Sequence, residues 1–423
     1  MRTLFFAGLL SLGAIGFVLA AEPPIEWRQW RGPTRDGYVP DAAWPESLQE
    51  PALAAAWRTD KLGPSYSGPI ISADMVFTTE TRDKREEMVR AYDRATGQER
   101  WSVQWLGAMD VPFFARSNGS WIRSTPAFDG ERLYVGGMRD VLVCLEAATG
   151  REIWRVDFMD KFQSPLPAFG FVSSPLLDDD SVYVQAGAAF VKLDKLTGAV
   201  RWRSLIDDGG MMGSAFSSPV LTKIGNRKQL VVQTRLAMAG VDPESGRELW
   251  KTPIPADRGM NIFTPVMLGD AFFVSSYGGG SRRFEIECRG EEFQPRQVWE
   301  LKTQGYMSTP VVIDGHAYMH LRNQRLTCID LATGKEKWTT SQLFGKYWSM
   351  VTNGRMILAL DEKGILYLIR VNPDKFELVD SRKVSQSESW AHLAVCGDEL
   401  FIRELNGLAK WRWRGSPAAS PSR

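Results

Sequence analysis

Apolar and polar residues alternate along most of the chain in short runs that stop at turn formers, a period of two that predicts strands rather than helices. One unit recurs. Asp93-Arg-Ala-Thr96-Gly97 ends in Trp101, Glu146-Ala-Ala-Thr149-Gly150 in Trp154, and Asp194-Lys-Leu-Thr197-Gly198 in Trp202. Asp242-Pro-Glu-Ser245-Gly246 ends in Trp250, and Asp330-Leu-Ala-Thr333-Gly334 in Trp338. Each copy predicts a β-hairpin in which Asp and Thr bond turn backbone and Gly supplies a positive φ. The Trp brings ~150–250 Å² of buriable surface. At about 25 cal/mol per Å² that is ~4–6 kcal/mol gross, which marks these tryptophans as the packing between neighbouring units.

A second signal precedes each hairpin, a Ser-[Ser/Thr]-Pro step leading into an apolar strand, a turn such as Asp129-Gly130 or Asp314-Gly315, and another apolar strand. The copies are Ser67-Gly68-Pro69, Ser124-Thr125-Pro126, Ser173-Ser174-Pro175, Ser217-Ser218-Pro219, Phe263-Thr264-Pro265 and Ser308-Thr309-Pro310, with weaker ones at Ser349-Met350-Val351 and Ala391-His392-Leu393. Two strands from this step and two from the hairpin make a four-stranded antiparallel blade, and eight copies predict an all-β, eight-bladed β-propeller. The spacing between tryptophans runs from 39 residues (Trp299 to Trp338) to 53 (Trp101 to Trp154), and it persists through degenerate copies at 288–299 and 371–379. A ring of sheets must close to avoid an exposed edge. Trp57 reads as the outer strand of a last blade whose other strands come from 390–413.

The chain begins with an apolar run from Leu4 to Ala20 ending in small residues, which reads as a signal peptide over 1–20 and a periplasmic or secreted protein. Residues 21–56 then form an N-terminal extension, 57–413 the propeller and 414–423 a disordered tail. The 51 Lys and Arg balance 50 Asp and Glu, so no long-range field favours nucleic acid. Cys144 and Cys328 hold the same place in blades on opposite sides of the ring and cannot pair; all four cysteines, with Cys288 and Cys396, read as small buried residues.

The unit around Asp93 to Trp101 resembles the propeller repeat of pyrroloquinoline quinone (PQQ) dehydrogenases, and the resemblance spans 57–413. The segment Trp27-Arg-Gln-Trp30-Arg31-Gly32-Pro33-Thr-Arg35-Asp36-Gly37 resembles the opening of exported bacterial proteins with such repeats. The superfamily includes quinoprotein alcohol and glucose dehydrogenases, and also the cofactor-free propeller lipoprotein of the outer-membrane β-barrel assembly machinery. The enzymes carry adjacent cysteines over the quinone, or a Cys-x-x-Cys-His haem site, and neither motif occurs here. The resemblance therefore favours a non-catalytic interaction platform in the cell envelope, with an envelope protein or small ligand as partner; the alternative is a PQQ- and calcium-dependent dehydrogenase of alcohols or sugars.

The residue before each leading Ser falls on one mouth of the central channel, giving a ring of Tyr66, Arg123, Val172, Phe216, Ile262, Met307, Trp348 and Trp390. Ser67, Ser124, Ser173, Ser217, Ser308 and Ser349 lie one step deeper, and loops above carry Phe113, Phe114, Arg116, Trp121, Phe169, Phe171, Met211, Met212, Arg258 and Tyr347. Such a ring suits stacking on a planar carboxylate or gripping a peptide, and equally suits plugging the channel. Calcium would need oxygens that could come from Asp110, Asn118, Asp207, Asp208 or Asn261, but no spacing singles out a cage. His316 and His320 share a strand face about 13 Å apart, too far for one metal. His392, beside the channel, is the histidine worth testing. No metal ligand set emerges and no catalytic residue is assigned.

Overall fold

A computed structural model describes residues 25–40, 44–207 and 213–414. The expected signal peptide and nearly all of the expected tail lie outside these residues, as do Asp208, Met211 and Met212. The rest folds as eight four-stranded antiparallel sheets arranged as the blades of a propeller. Blade 1 spans 70–106, blade 2 127–157, blade 3 176–204, blade 4 220–253, blade 5 266–301, blade 6 311–339 and blade 7 348–383. Blade 8 takes three strands from 394–413 and its outer strand, Leu53–Asp60, from the other end of the chain. Trp57 lies opposite Lys410 in that closing strand, so hydrogen bonds sew the two ends of the ring together.

The tryptophans show why the repeat takes this form. Trp101, on the outer strand of blade 1, packs on Gly150 in the outer turn of blade 2, and its Nε1 donates to Ala147 O at 2.9 Å. Trp57, Trp154, Trp202, Trp299 and Trp338 make the same bond to Arg94, Lys195, Pro243, Leu331 and Asn372 of the following blade, at 2.9–3.1 Å. The turn glycine is required twice over. Gly150 has φ +77°, and a Cβ there would lie 2.5 Å from the Trp101 ring. The turn is held by its own acid, since Asp93 accepts from the Thr96 N–H and hydroxyl at 2.8 Å.

Two blades depart from the rule. Trp250 donates within its own blade, to Gln229 Oε1 at 2.8 Å, and stacks on Phe272 of blade 5 instead. Blade 5 has no short turn to receive it, because its outer hairpin is built from two ten-residue strands, Gly280–Arg289 and Glu292–Leu301. Cys288 lies near the tip of that hairpin. Cys288 is therefore exposed, which corrects the expectation that all four cysteines are buried; Cys144, Cys328 and Cys396 are. In blade 7 the Trp register position holds Asp380, opposite Leu368. Its carboxylate accepts from Leu48 N at 2.7 Å and Gln49 Nε2 at 3.0 Å, so the N-terminal extension covers the junction a Trp seals elsewhere.

The leading motif is explained by hydroxyls that lock inner strands together around the channel. Gly68 N donates to Thr125 Oγ1, Thr125 N to Ser174 Oγ, Ser174 N to Ser218 Oγ and Thr264 N to Thr309 Oγ1, at 2.9–3.1 Å. On the mouth face, buried carboxylates staple successive blades. Glu87 accepts from Met138 N and Trp105 Nε1, and Asp140 from Gly187 N, at 2.8–3.0 Å. Burial pushes both acids up to about 7, against the pull of those donors.

Trp101→Ala removes surface and a bond that span two blades, and is expected to cost about 3–5 kcal/mol; Trp101→Phe keeps most of the surface and should lose roughly 1–2. Denaturant unfolding followed by circular dichroism ranks the two. The buried acids predict a pH dependence. Their folded pKa values exceed the unfolded values near 4, so their contribution to stability is full below pH ~4 and is lost as pH rises towards 7. Tm should fall between pH 5 and 7.5, and Glu87→Gln with Asp140→Asn should flatten that slope; an unchanged slope assigns it to other groups.

Candidate functional site

Each inner strand starts at the mouth, so the eight residues preceding the leading motif converge there. Tyr66, Arg123, Val172, Phe216, Ile262, Met307, Trp348 and Trp390 all line one cavity of about 530 Å³ at the mouth of the channel. The loop residues Phe114, Phe169, Arg258 and Tyr347 line it with them, whereas Phe113 and Arg116 stand in solvent and Phe171 is buried beside Phe158. Trp121 reaches the rim through Tyr66, ring centroids 5.3 Å apart.

The rim is a continuous aromatic arc. Tyr66 meets Trp390 at 5.0 Å, Trp390 meets Tyr347 at 4.1 Å, Tyr347 meets Tyr306 at 5.5 Å and Tyr306 meets Tyr277 at 5.8 Å. Phe169 and Phe216, 5.5 Å apart, face the arc. The Arg123 guanidinium lies 5.0 Å above the Tyr66 ring, with its Nη2 donating to Gly119 O at 3.0 Å. Tyr277 was not legible from sequence, because it sits in a turn between two strands of blade 5, whereas Tyr306 stands before Met307 as Tyr347 stands before Trp348, a signal that could have found it.

Below the rim the channel is closed by a segment that the repeats give no hint of. Residues 27–39 cross the far end and bond to six blades. Trp27 pairs with Ile71 of blade 1, Phe128 N of blade 2 donates to Arg28 O, and Thr352 of blade 7 exchanges bonds with Gly37 and Val39. Arg35 donates to Ser174 O and Pro175 O of blade 3, Trp30 Nε1 to Thr264 Oγ1 of blade 5, and Arg31 Nη2 to Pro310 O of blade 6, at 2.8–3.1 Å. Trp30 and Arg31 thereby form the cavity floor, with His392 edge-on to Trp30 at 5.1 Å. Burial lowers Arg31 and Arg123 to about 10 and Arg35 to about 9, which leaves all three charged at neutral pH.

His392 is buried and lowered to about 3 by desolvation and the nearby Arg31, so it is neutral. His320 is buried against Trp348, stacked at 4.9 Å, and burial lowers it to about 4; His316 is only partly buried and turns to Asp314 O. The candidate calcium oxygens do not converge. Asp207 pairs with Arg235, Asn261 Nδ2 donates to two backbone carbonyls, and Asp110 lies in solvent beside Arg116. Among the described residues no cluster of three His, Cys, Asp or Glu could hold a metal, and Asp257 is the single carboxylate lining the cavity. The arrangement does not fit a calcium-bound quinone with an aspartate base.

Fold and cavity together define a PQQ-like repeat propeller whose channel is a closed cup. The chain belongs to the outer membrane protein assembly factor BamB family, whose model matches residues 85–340. It is similar to the BamB of Yersinia pestis, with 22% identity over 354 residues, 81% of this chain and 83% of that protein. The crystal structure of BamB from Moraxella catarrhalis superposes with a TM-score of 0.61 at 15% identity, covering 86% of this chain and 99% of that one. Quinohaemoprotein alcohol dehydrogenase from Comamonas testosteroni superposes with a TM-score of 0.60 at 12% identity, covering 96% and 82%. These superpositions establish a shared fold.

The strap is expected to bind the blades together across the channel. Deleting residues 25–40 should leave a β-rich circular dichroism spectrum and lower Tm by several degrees; an unchanged Tm would show that the ring holds without it.

Proposed function

We propose that this protein is a non-catalytic, exported interaction platform of the cell envelope that receives a protein partner on the mouth face of the propeller. The relatives carry the name outer membrane protein assembly factor, and we extend that role to this chain. The observation that carries the reading is where apolar side chains are exposed. Leu106, Phe113, Ile206, Leu236 and Leu343 are each more than 60% exposed, and all five lie on loops or strand ends of the mouth face. On the opposite face Leu196, Ile25, Tyr38 and Leu378 are exposed, each less than 60%. Apolar side chains exposed on one face offer a partner surface whose burial is favourable. The mouth ring, from Tyr66 and Arg123 to Trp390 and His392, lies at the centre of that face.

Export follows from the leader at 1–20, with processing after Ala20 or Ala21, and no helix among the described residues is long and apolar enough to cross a membrane.

A photo-crosslinking side chain placed at Phe113 or Leu236 in cells is expected to capture an envelope protein, while one at Leu196 captures none. Equal capture from both faces, or none from the mouth face, would overturn the assignment. Mass spectrometry of the exported protein should find its N-terminus at residue 21 or 22.

A further inference from the structure

Two guanidinium groups in the cup, those of Arg31 and Arg123, hydrogen-bond no carboxylate among the described residues. Arg31, 2% exposed, donates only to the backbone oxygens of Asp36 and Pro310, and its Nε has no partner. Arg123 donates only to Gly119 O, and its Nε also has none. Asp257 lines the cavity without bonding either guanidinium, and Glu388 is engaged by Trp390 Nε1 at 2.7 Å. Withdrawing a guanidinium from water without a counter-charge is costly, and protein interiors tolerate it where a ligand or partner supplies that charge. Around these two cations the walls are flat and apolar, formed by Tyr66 and Trp390 on one side and Phe169 on the other. A volume of about 530 Å³ falls within the range of small-molecule pockets.

We propose that the cup binds a small organic anion with a planar apolar body, its charge met by Arg123 and Arg31 and by no metal ion. The aromatic arc stacks the body, and guanidinium groups present paired donors to a carboxylate, sulfonate or phosphate. Planar rings also gain from the Arg123 face, which already lies over Tyr66. The site differs in its charge chemistry from a calcium–quinone centre, because the cations that line it are guanidinium groups. It stands independently of the protein-platform reading, although both use the same face.

The test uses the full mature protein and two dyes that share a body, 8-anilinonaphthalene-1-sulfonate and the uncharged N-phenyl-1-naphthylamine. The sulfonate is expected to saturate one site, with the neutral dye at least tenfold weaker and with EDTA without effect. Arg123→Gln should weaken the sulfonate about tenfold and leave the neutral dye unchanged, whereas Trp390→Ala should weaken both. Arg31→Gln, checked for folding by circular dichroism, provides the second charge variant. Equal affinity for the two dyes, insensitivity of the sulfonate to both arginine variants in folded protein, or loss of binding with EDTA would each overturn the proposal. Failure of crosslinking at Phe113 with dye binding intact would remove the platform reading alone.

Discussion

The propeller depends on one contact made again and again, an indole laid on the glycine turn of the next blade with its N–H bonded to that turn's carbonyl. Six of the eight blades make the bond, five onto a glycine turn and Trp338 onto the Asn372 turn of blade 7, which has no glycine, and its geometry ties the parts of the repeat to one another. Gly150 is demanded by the Trp101 ring as much as by its own φ, and an acid, Asp93, Asp194, Asp242 or Asp330 in four turns and Glu146 in the fifth, holds the loop that offers the carbonyl. Where the receiving turn changes, the contact changes with it. Trp250 finds a long hairpin in front of it and bonds to Gln229, and the last junction replaces indole packing with an acid that grips residues 47–49.

Closing the ring leaves a channel, and the chain fills its far end with the strap at 27–39. Two buried arginines in that strap donate to backbone oxygens of blades 3 and 6 and, within the strap, to Asp36 O and Gln29 Oε1. The carbonyl ends of inner strands are the polar groups a channel exposes, so guanidinium donors suit them well. The arrangement turns an open tube into a cup with an aromatic rim and a cationic floor. It also makes one short segment reach across most of the ring.

The mouth face therefore has two chemistries. Its outer loops carry exposed apolar side chains, suited to a protein surface, and its centre is a concave site short of negative charge. The family likeness covers the fold and the envelope setting. The quinoprotein enzymes share the same scaffold at 12% identity, yet the candidate calcium oxygens form no cluster here: Asp207 pairs with Arg235, Asp110 stands in solvent beside Arg116, and Asn118 lines the cavity while Asn261 does not.

Sequence alone determined the blade, the number of blades and the closure through Trp57, because a repeat encodes contacts between neighbours at fixed spacing. The same spacing placed Tyr66, Arg123 and Trp390 around the mouth, since they hold equivalent register positions. Tertiary structure alone decided what lies between blades that are distant in the chain. The docking of Trp30, Arg31 and Arg35 across the channel leaves no period in the sequence, and neither does the placement of Tyr277 on the rim. Nor does the substitution of Asp380 for a tryptophan announce which segment it receives. Charge compensation, too, is a property of three-dimensional neighbours: a chain with balanced totals can still bury two guanidinium groups that no carboxylate among the described residues bonds.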